Sequence, residues 1–127
     1  MSNKKKILIV EDEPDLVETL GVFFRESGYE TIAAYDGHEG FIKAEKDEPD
    51  LITLDISMPG ESGVKMYRNL INSGKTKNIP VIIITAAPSE LKGFIKRMKS
   101  FPDPAGYFEK PVDREELLTK VKDLIGA

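Results

Sequence analysis

The chain has 127 residues, of which 40% are hydrophobic and 31% charged, and its formal net charge is −4. This length suits one domain with a substantial core, and the acidic balance argues against a surface built to bind nucleic acid. The chain contains no cysteine, which excludes disulfides, zinc–thiolate sites and thiol catalysis. We predict a single cytoplasmic domain over residues 1–127, with no output domain, signal peptide or bilayer-spanning run visible.

Short apolar runs and amphipathic segments alternate five times along the chain. The runs predict strands, and the segments between them predict helices that begin at turn or capping residues. The predicted strands are residues 7–10, 31–34, 51–55, 81–85 and 105–108. The predicted helices begin at Pro14, at Gly37, at Ser62 or Gly63, near Ser89, and after Asp113, which has capping-box spacing to Glu116.

This alternation predicts an α/β fold: a flavodoxin-like (βα)5 doubly wound sandwich with a five-stranded parallel sheet. The strand order is not derivable from the pattern, so we adopt the order 2-1-3-4-5 as a hypothesis. In that order the first, third, fourth and fifth strands are neighbours. Their carboxyl ends then meet at the edge of the sheet where open α/β folds bind ligands.

Polar side chains follow four of the predicted strands. Glu11 and Asp12 come after the first, Asp55 ends the third, Thr85 ends the fourth, and Lys110 follows the fifth. Each has an ordinary structural reading when taken alone: helix capping for the first two, a turn for Asp55, a strand end for Thr85, and plain surface for Lys110. The joint pattern is far more specific than any member of it.

Three converging carboxylates repel one another unless a cation neutralises them. An all-oxygen donor set favours Mg²⁺, with Mn²⁺ as the alternative, and Mg²⁺ leaves coordination positions for phosphate oxygens. Asp55 would act as a nucleophile that forms an aspartyl-phosphate, and Lys110 would supply positive charge. Ala86 is small enough to leave room for the incoming group.

Four motifs resemble the receiver domain of a two-component response regulator, and the resemblance covers residues 7–125. The motifs are Ile-Val-Glu-Asp-Glu-Pro at 9–14, Leu-Asp-Ile-Ser-Met-Pro-Gly at 54–60, Ile-Thr-Ala at 84–86 and Tyr-Phe-Glu-Lys-Pro at 107–111. The resemblance implies a signalling domain whose only chemistry is its own phosphorylation and autodephosphorylation.

The resemblance also implies individual roles for the site residues. Asp55 would accept a phosphoryl group from the phosphohistidine of a sensor histidine kinase or phosphotransfer protein. Asp12, Asp55 and the backbone carbonyl of Ser57 would ligate Mg²⁺, with Glu11 helping through water.

Three further residues carry roles in this resemblance. Thr85 would hydrogen-bond a phosphoryl oxygen, and Lys110 would pair with the phosphoryl group, its bond to Pro111 being cis. Tyr107 would be the switch aromatic, which turns inward when Thr85 moves.

The implied partner surface is the face of the fourth helix, fifth strand and fifth helix, where Lys92, Lys96 and Arg97 would contribute. A downstream protein would bind there, with no direct nucleic-acid or membrane contact; a phosphorylation-dependent homodimer stays open. The chain departs from the family pattern in the stretch from Thr85 to Lys110, which is slightly long. There, residues 101–104 replace a usual Gly-Ala turn, so the fourth helix is expected to be displaced or differently ended.

A second departure concerns decay of the phosphorylated form. Ser57 and Ala87, two residues after Asp55 and Thr85, are small where many relatives carry larger polar groups. Neither has the reach to position a hydrolytic water, so we predict slow autodephosphorylation.

Other functions compete with this reading. The strongest alternative is an unphosphorylated, receiver-like protein-binding module, against which the complete set of site residues argues. A magnesium-dependent aspartyl-phosphate phosphatase is disfavoured because Ser57 stands where such enzymes typically place a second acid. Flavin or nucleotide binding is weaker still, since no glycine-rich loop follows the first strand.

Overall fold

Five parallel strands form the centre of the computed structural model, which describes residues 4–126. The strands are Lys6–Val10 (β1), Glu30–Ala34 (β2), Leu51–Asp55 (β3), Val81–Thr85 (β4) and Gly106–Glu109 (β5). The helices are Pro14–Glu26 (α1), Gly37–Asp47 (α2), Ser62–Asn72 (α3), Pro88–Arg97 (α4) and Arg114–Ile125 (α5). None of the helices within residues 4–126 is long and apolar enough to cross a membrane.

The strand order is β2-β1-β3-β4-β5, which confirms the hypothesised topology. The central strands β3 and β4 are buried along their whole length. Helices cover both faces of the sheet, so alternate side chains of one strand enter different cores, and this explains the uninterrupted apolar runs.

Two apolar cores lie on opposite faces of the sheet. On one face, Leu54 and Ile83 pack in the same core as Met66 of α3 and Phe94 of α4. On the other, strand residues such as Ile9 share a core with α1 and α5. Helices therefore pack against both faces of the sheet and fix the positions of the carboxyl ends of its strands.

Local sequence explains where the helices start. Asp36 caps α2 by accepting a hydrogen bond from the N–H of Glu39, and Asp113 caps α5 by accepting from the N–H groups of Glu115 and Glu116. Pro14 stands at the start of α1, where its missing N–H costs nothing.

The segment between α4 and β5 is an ordered turn. The Tyr67 hydroxyl donates to the carbonyl oxygen of Pro102 at 2.8 Å, and the N–H of Ala105 donates to Val81 at 2.8 Å. Phe101 packs against the core. Helix α4 ends at Arg97, and these contacts hold the proline-rich turn after it to α3 and β4.

Candidate functional site

Asp55 ends β3 and is buried, with 1% of its surface exposed. Its Oδ1 accepts a hydrogen bond from the N–H of Ser57 at 2.7 Å, and its Oδ2 lies 3.3 Å from Lys110 Nζ. One oxygen is thus held by its own loop, and the other faces a cation from β5. The buried strand and these two contacts set the orientation of the carboxylate.

Glu11 and Asp12 follow β1, which lies beside β3. One carboxylate oxygen from each of Glu11, Asp12 and Asp55 lies within 4.8 Å of the others. Glu11 and Asp55 are buried, whereas Asp12 is exposed at the rim. The structure therefore brings the three predicted acids together as an oxygen-donor set that suits a hard divalent cation.

Glu11 is the acid of this cluster whose pKa is raised. Its Oε2 accepts a hydrogen bond from the N–H of Glu13 at 3.1 Å. Its buried Oε1 lies 3.1 Å from Lys110 Nζ, an ion-pair distance, without an aligned hydrogen bond from any described residue. Burial and the negative charge of Asp55 raise the pKa of Glu11 to about 8. The folded protein thus favours the protonated acid unless a further cation is present.

Lys110 contacts three carboxylates at once. Its Nζ lies 2.7 Å from Glu13, 3.1 Å from Glu11 and 3.3 Å from Asp55. Burial by itself would lower the pKa of Lys110, but the nearby carboxylates of Glu13, Glu11 and Asp55 outweigh this effect and raise the pKa. The lysine therefore stays positively charged. Its peptide bond to Pro111 is cis, as the resemblance implied.

Glu13 was not among the predicted site residues. It holds the shortest of the three contacts to Lys110, although 62% of its side chain is exposed. Its position directly after Glu11 and Asp12 was the only sequence signal. An exposed acid before a helix ordinarily indicates capping, which is why the sequence did not single it out.

Thr85 lies at the end of β4 and is fully buried. Its hydroxyl donates to the carbonyl oxygen of Ala87 at 3.1 Å and accepts from the Ala87 N–H at 3.3 Å. These bonds keep the hydroxyl within its own loop. The structure thus places Thr85 at the predicted edge of the sheet, with its hydroxyl bonded to Ala87.

Tyr107 lies on β5 beside Ile83 of β4. Its half-buried ring packs edge-on against Phe94 of α4, with ring centroids 6.5 Å apart. Burial raises the pKa of its hydroxyl. The predicted switch aromatic therefore contacts the fourth helix.

Ser57 makes more contacts than the sequence suggested. Besides the backbone bond to Asp55, its hydroxyl accepts from the N–H of Ala86 at 2.7 Å and donates to Glu90 Oε2 at 2.6 Å. Glu90 lies in the first turn of α4 and was missed, because nothing in its local sequence separates it from an ordinary helix-start acid.

Arg97 was predicted to contribute to the partner surface. In the structure it pairs with Glu61, at 2.6 Å between Nη1 and Oε1, and the arginine lowers the pKa of that carboxyl through the hydrogen bond and its charge. The ion pair links α4 to the loop after β3, and the Arg97 side chain stays 44% exposed. Lys92 and Lys96 stay exposed on α4.

Comparison with known proteins identifies the family. Residues 7–122 match the family model of the response regulator receiver domain. The protein PilH of Pseudomonas aeruginosa is 32% identical over 120 residues, which cover 94% of this chain and 97% of PilH.

Solved structures agree with that match. Chemotaxis protein CheY4 of Vibrio cholerae has a TM-score of 0.83 at 26% identity, over 95% of this chain and 98% of CheY4. The receiver domain of sensor histidine kinase PA1611 of P. aeruginosa, solved with a magnesium ion coordinated in its active site cleft, has a TM-score of 0.82 at 27% identity, over 98% of this chain and 99% of that one. The chain therefore belongs to the response regulator receiver domain family of two-component signalling systems.

Proposed function

We propose that Asp55 accepts a phosphoryl group from the phosphohistidine of a histidine kinase or phosphotransfer protein in the cytoplasm. One observation carries this proposal: a buried carboxylate lies 3.3 Å from the Lys110 ammonium and within 4.8 Å of carboxylate oxygens of Glu11 and Asp12. A lone nucleophile with a fixed cation and an anionic metal-binding set matches the needs of phosphoryl transfer.

Mg²⁺ would be held by the carboxylates of Glu11, Asp12 and Asp55 and by the backbone carbonyl of Ser57. Mn²⁺ fits the same oxygen donors. The fit rests on the donor chemistry and on the buried Glu11 Oε1, which lacks an aligned hydrogen bond among the described residues. When bound, the ion would neutralise charge on the phosphoryl oxygens. The magnesium ion in the PA1611 receiver domain supports this assignment.

The protein's own residues would divide the remaining work. Asp55 attacks phosphorus, with Ser57 N–H fixing its Oδ1 and leaving the carboxylate in one orientation. Lys110, already drawn toward Asp55, Glu11 and Glu13, supplies a positive charge that moves onto the phosphoryl oxygens. The chemistry is confined to the chain's own aspartate, so the domain acts as a signalling phosphoacceptor and not as an enzyme on other substrates.

The switch would run through Thr85 and Tyr107. Phosphorylation would offer the Thr85 hydroxyl a charged acceptor in place of the Ala87 carbonyl, and charge-assisted hydrogen bonds are the stronger kind. Movement of this loop would then alter the packing of Tyr107 against Phe94. A downstream protein would read the change at the face of α4, β5 and α5, which exposes Lys92 and Lys96.

Intact-protein mass spectrometry tests the phosphoacceptor. The chain is incubated with acetyl phosphate and Mg²⁺ beside the isosteric variant D55N and a sample containing EDTA. We expect one added phosphoryl group in the wild type with Mg²⁺ and none in the other two. An equal gain in D55N would place the phosphoryl group elsewhere. No gain together with no Mg²⁺ binding would instead favour the receiver-like protein-binding module.

A further inference from the structure

A hydroxyl group joins three segments beside Asp55. Asp55 pairs with Ile84 across β3 and β4, and two residues farther along each chain segment the N–H of Ala86 donates to Ser57 Oγ at 2.7 Å. The same Ser57 uses its own N–H to hold Asp55 Oδ1 at 2.7 Å. Ser57 thus bonds directly to the nucleophile, and it also links the loop after β3 to the loop after β4.

The Ser57 hydroxyl has its single proton committed to Glu90. The distance from Ser57 Oγ to Glu90 Oε2 is 2.6 Å, which is typical of a hydroxyl bonded to an ionised carboxylate. Because the Ala86 N–H already occupies the acceptor side of the oxygen, the hydroxyl orientation is set from both ends. An exposed anion from α4 is therefore held two hydrogen bonds from the Asp55 carboxylate.

We infer that Glu90 is a specificity-determining residue: held by the hydroxyl of Ser57, whose N–H bonds to Asp55, it repels small anionic phosphodonors and slows their reaction. The inference rests on the proposed phosphorylation of Asp55. A protein donor brings its own docking contacts, which offset this repulsion, whereas a free dianion has none. Glu90 thereby favours phosphorylation by a docked protein over phosphorylation by small metabolites.

The reaction that the repulsion would slow is a simple displacement. An oxygen of the ionised Asp55 carboxylate donates an electron pair to phosphorus while the bond from phosphorus to the acetyl oxygen breaks. That electron pair leaves on acetate, and no proton is transferred. The donor approaches as an anion throughout, so a neighbouring carboxylate raises the energy of approach without entering the chemistry.

The test compares phosphorylation rates for wild type, E90Q and the control E61Q at saturating Mg²⁺. Acetyl phosphate serves as the dianionic donor and phosphoramidate as the less charged one. We expect E90Q to react about threefold to tenfold faster with acetyl phosphate at low donor concentration, with a smaller gain for phosphoramidate and for either donor in high salt. A lower apparent KM at similar maximal rate is expected, because Glu90 opposes approach.

E61Q is the matched control. It removes one negative charge from the loop after β3 and weakens a link to α4, but Glu61 bonds to Arg97 and not to Ser57. We expect its rates to stay within about twofold of the wild type, since an exposed charge already paired with arginine contributes little. A similar acceleration in E61Q and E90Q would overturn the inference, because loosening α4 would then suffice.

A double-mutant cycle separates Glu90 from its anchor. S57A removes the hydroxyl that holds the carboxylate, so E90Q should add little in the S57A background. Full acceleration by E90Q in that background would overturn the role of Ser57, and equal gains for both donors in all salts would overturn the charge mechanism. If D55N is phosphorylated like the wild type, the proposed function itself fails and the inference fails with it. If only the inference is wrong, Asp55 is phosphorylated and E90Q is no faster than E61Q.

Discussion

Two neighbouring regions of the molecule are packed in different ways. One is the contact between α2 and α3, called the seam here, and the other is the carboxyl edge of the sheet. At the seam, Gly37 and Gly40 let α2 approach Ser62 and Met66 of α3 so closely that added Cβ atoms would overlap them. At the sheet edge, like charges are brought together instead. The first arrangement stabilises the fold by close packing. The second costs stability until a cation or ligand compensates, which is expected of a site selected for function.

The seam is the region where one methyl group should have the largest effect. A Cβ at Gly37 would overlap the backbone carbonyl oxygen of Ser62, which cannot move without shifting the start of α3. We expect G37A to lower the free energy of unfolding by about 2 to 4 kcal/mol, measured by urea denaturation.

The matched control for that variant is G93A, on α4. Nothing lies within 4 Å of a Cβ at Gly93, so the helix propensity of alanine should stabilise by about 0.5 to 1 kcal/mol. Equal destabilisation by both variants would show that the seam is looser than the structure indicates.

The sheet edge should respond to pH where the seam does not. Because the pKa of Glu11 rises from its ordinary value near 4.5 to about 8 on folding, the unfolded chain releases this proton first as pH increases. The folded state therefore binds more protons between these values, and stability should fall as pH rises from 4.5 to 8.

E11Q is the variant that isolates this effect. In EDTA at pH 8 we expect E11Q to exceed the wild type in unfolding free energy by on the order of 2 kcal/mol, with a flatter pH dependence. Adding Mg²⁺ should stabilise the wild type more than E11Q. Thermal unfolding across this pH range checks the sign, and an identical pH slope in both proteins would contradict it.

A smaller effect is expected from a polar group inside the sheet itself. The Thr53 hydroxyl is buried on β3 and has no hydrogen-bond partner among residues 4–126. We expect T53V, which keeps the shape and removes the unpaired hydroxyl, to stabilise by about 1 kcal/mol in urea denaturation.

Thr76 provides the contrast for that substitution. It is also buried, but its hydroxyl donates to the carbonyl oxygen of Leu70 at 2.7 Å. T76V should therefore destabilise by about 1 kcal/mol. The same sign for both variants would show that hydrogen bonding does not separate these two sites.

Sequence pattern predicted the helices and strands well because their signals are local. Leu51 to Asp55 reads as a buried strand from its own residues, and the observed β3 has those limits. The boundaries shifted where local signals were weak: α4 begins at Pro88, one residue before Ser89, and β5 begins at Gly106 rather than at Ala105. A short 3₁₀ turn, Pro59–Glu61, also precedes α3.

Asp12, Asp55 and Lys110 could be placed at one edge because the carboxyl ends of parallel strands share a direction, once the strand order was assumed. The order itself came from the hypothesis and the resemblance, since pairing between strands leaves no mark on a single sequence.

The connections around the site were decided by tertiary structure alone. Three of these connections join residues that are far apart in the sequence. They are Ser57 with Glu90, 33 positions apart, Glu61 with Arg97, 36 apart, and Glu13 with Lys110, 97 apart. Nothing in the local sequence of these polar side chains distinguishes a protein partner from solvent. The spacing of apolar residues therefore determined the strands and helices, because each of them must bury an apolar face. The partner of each charged side chain was decided only when the fold set which loops lie within reach.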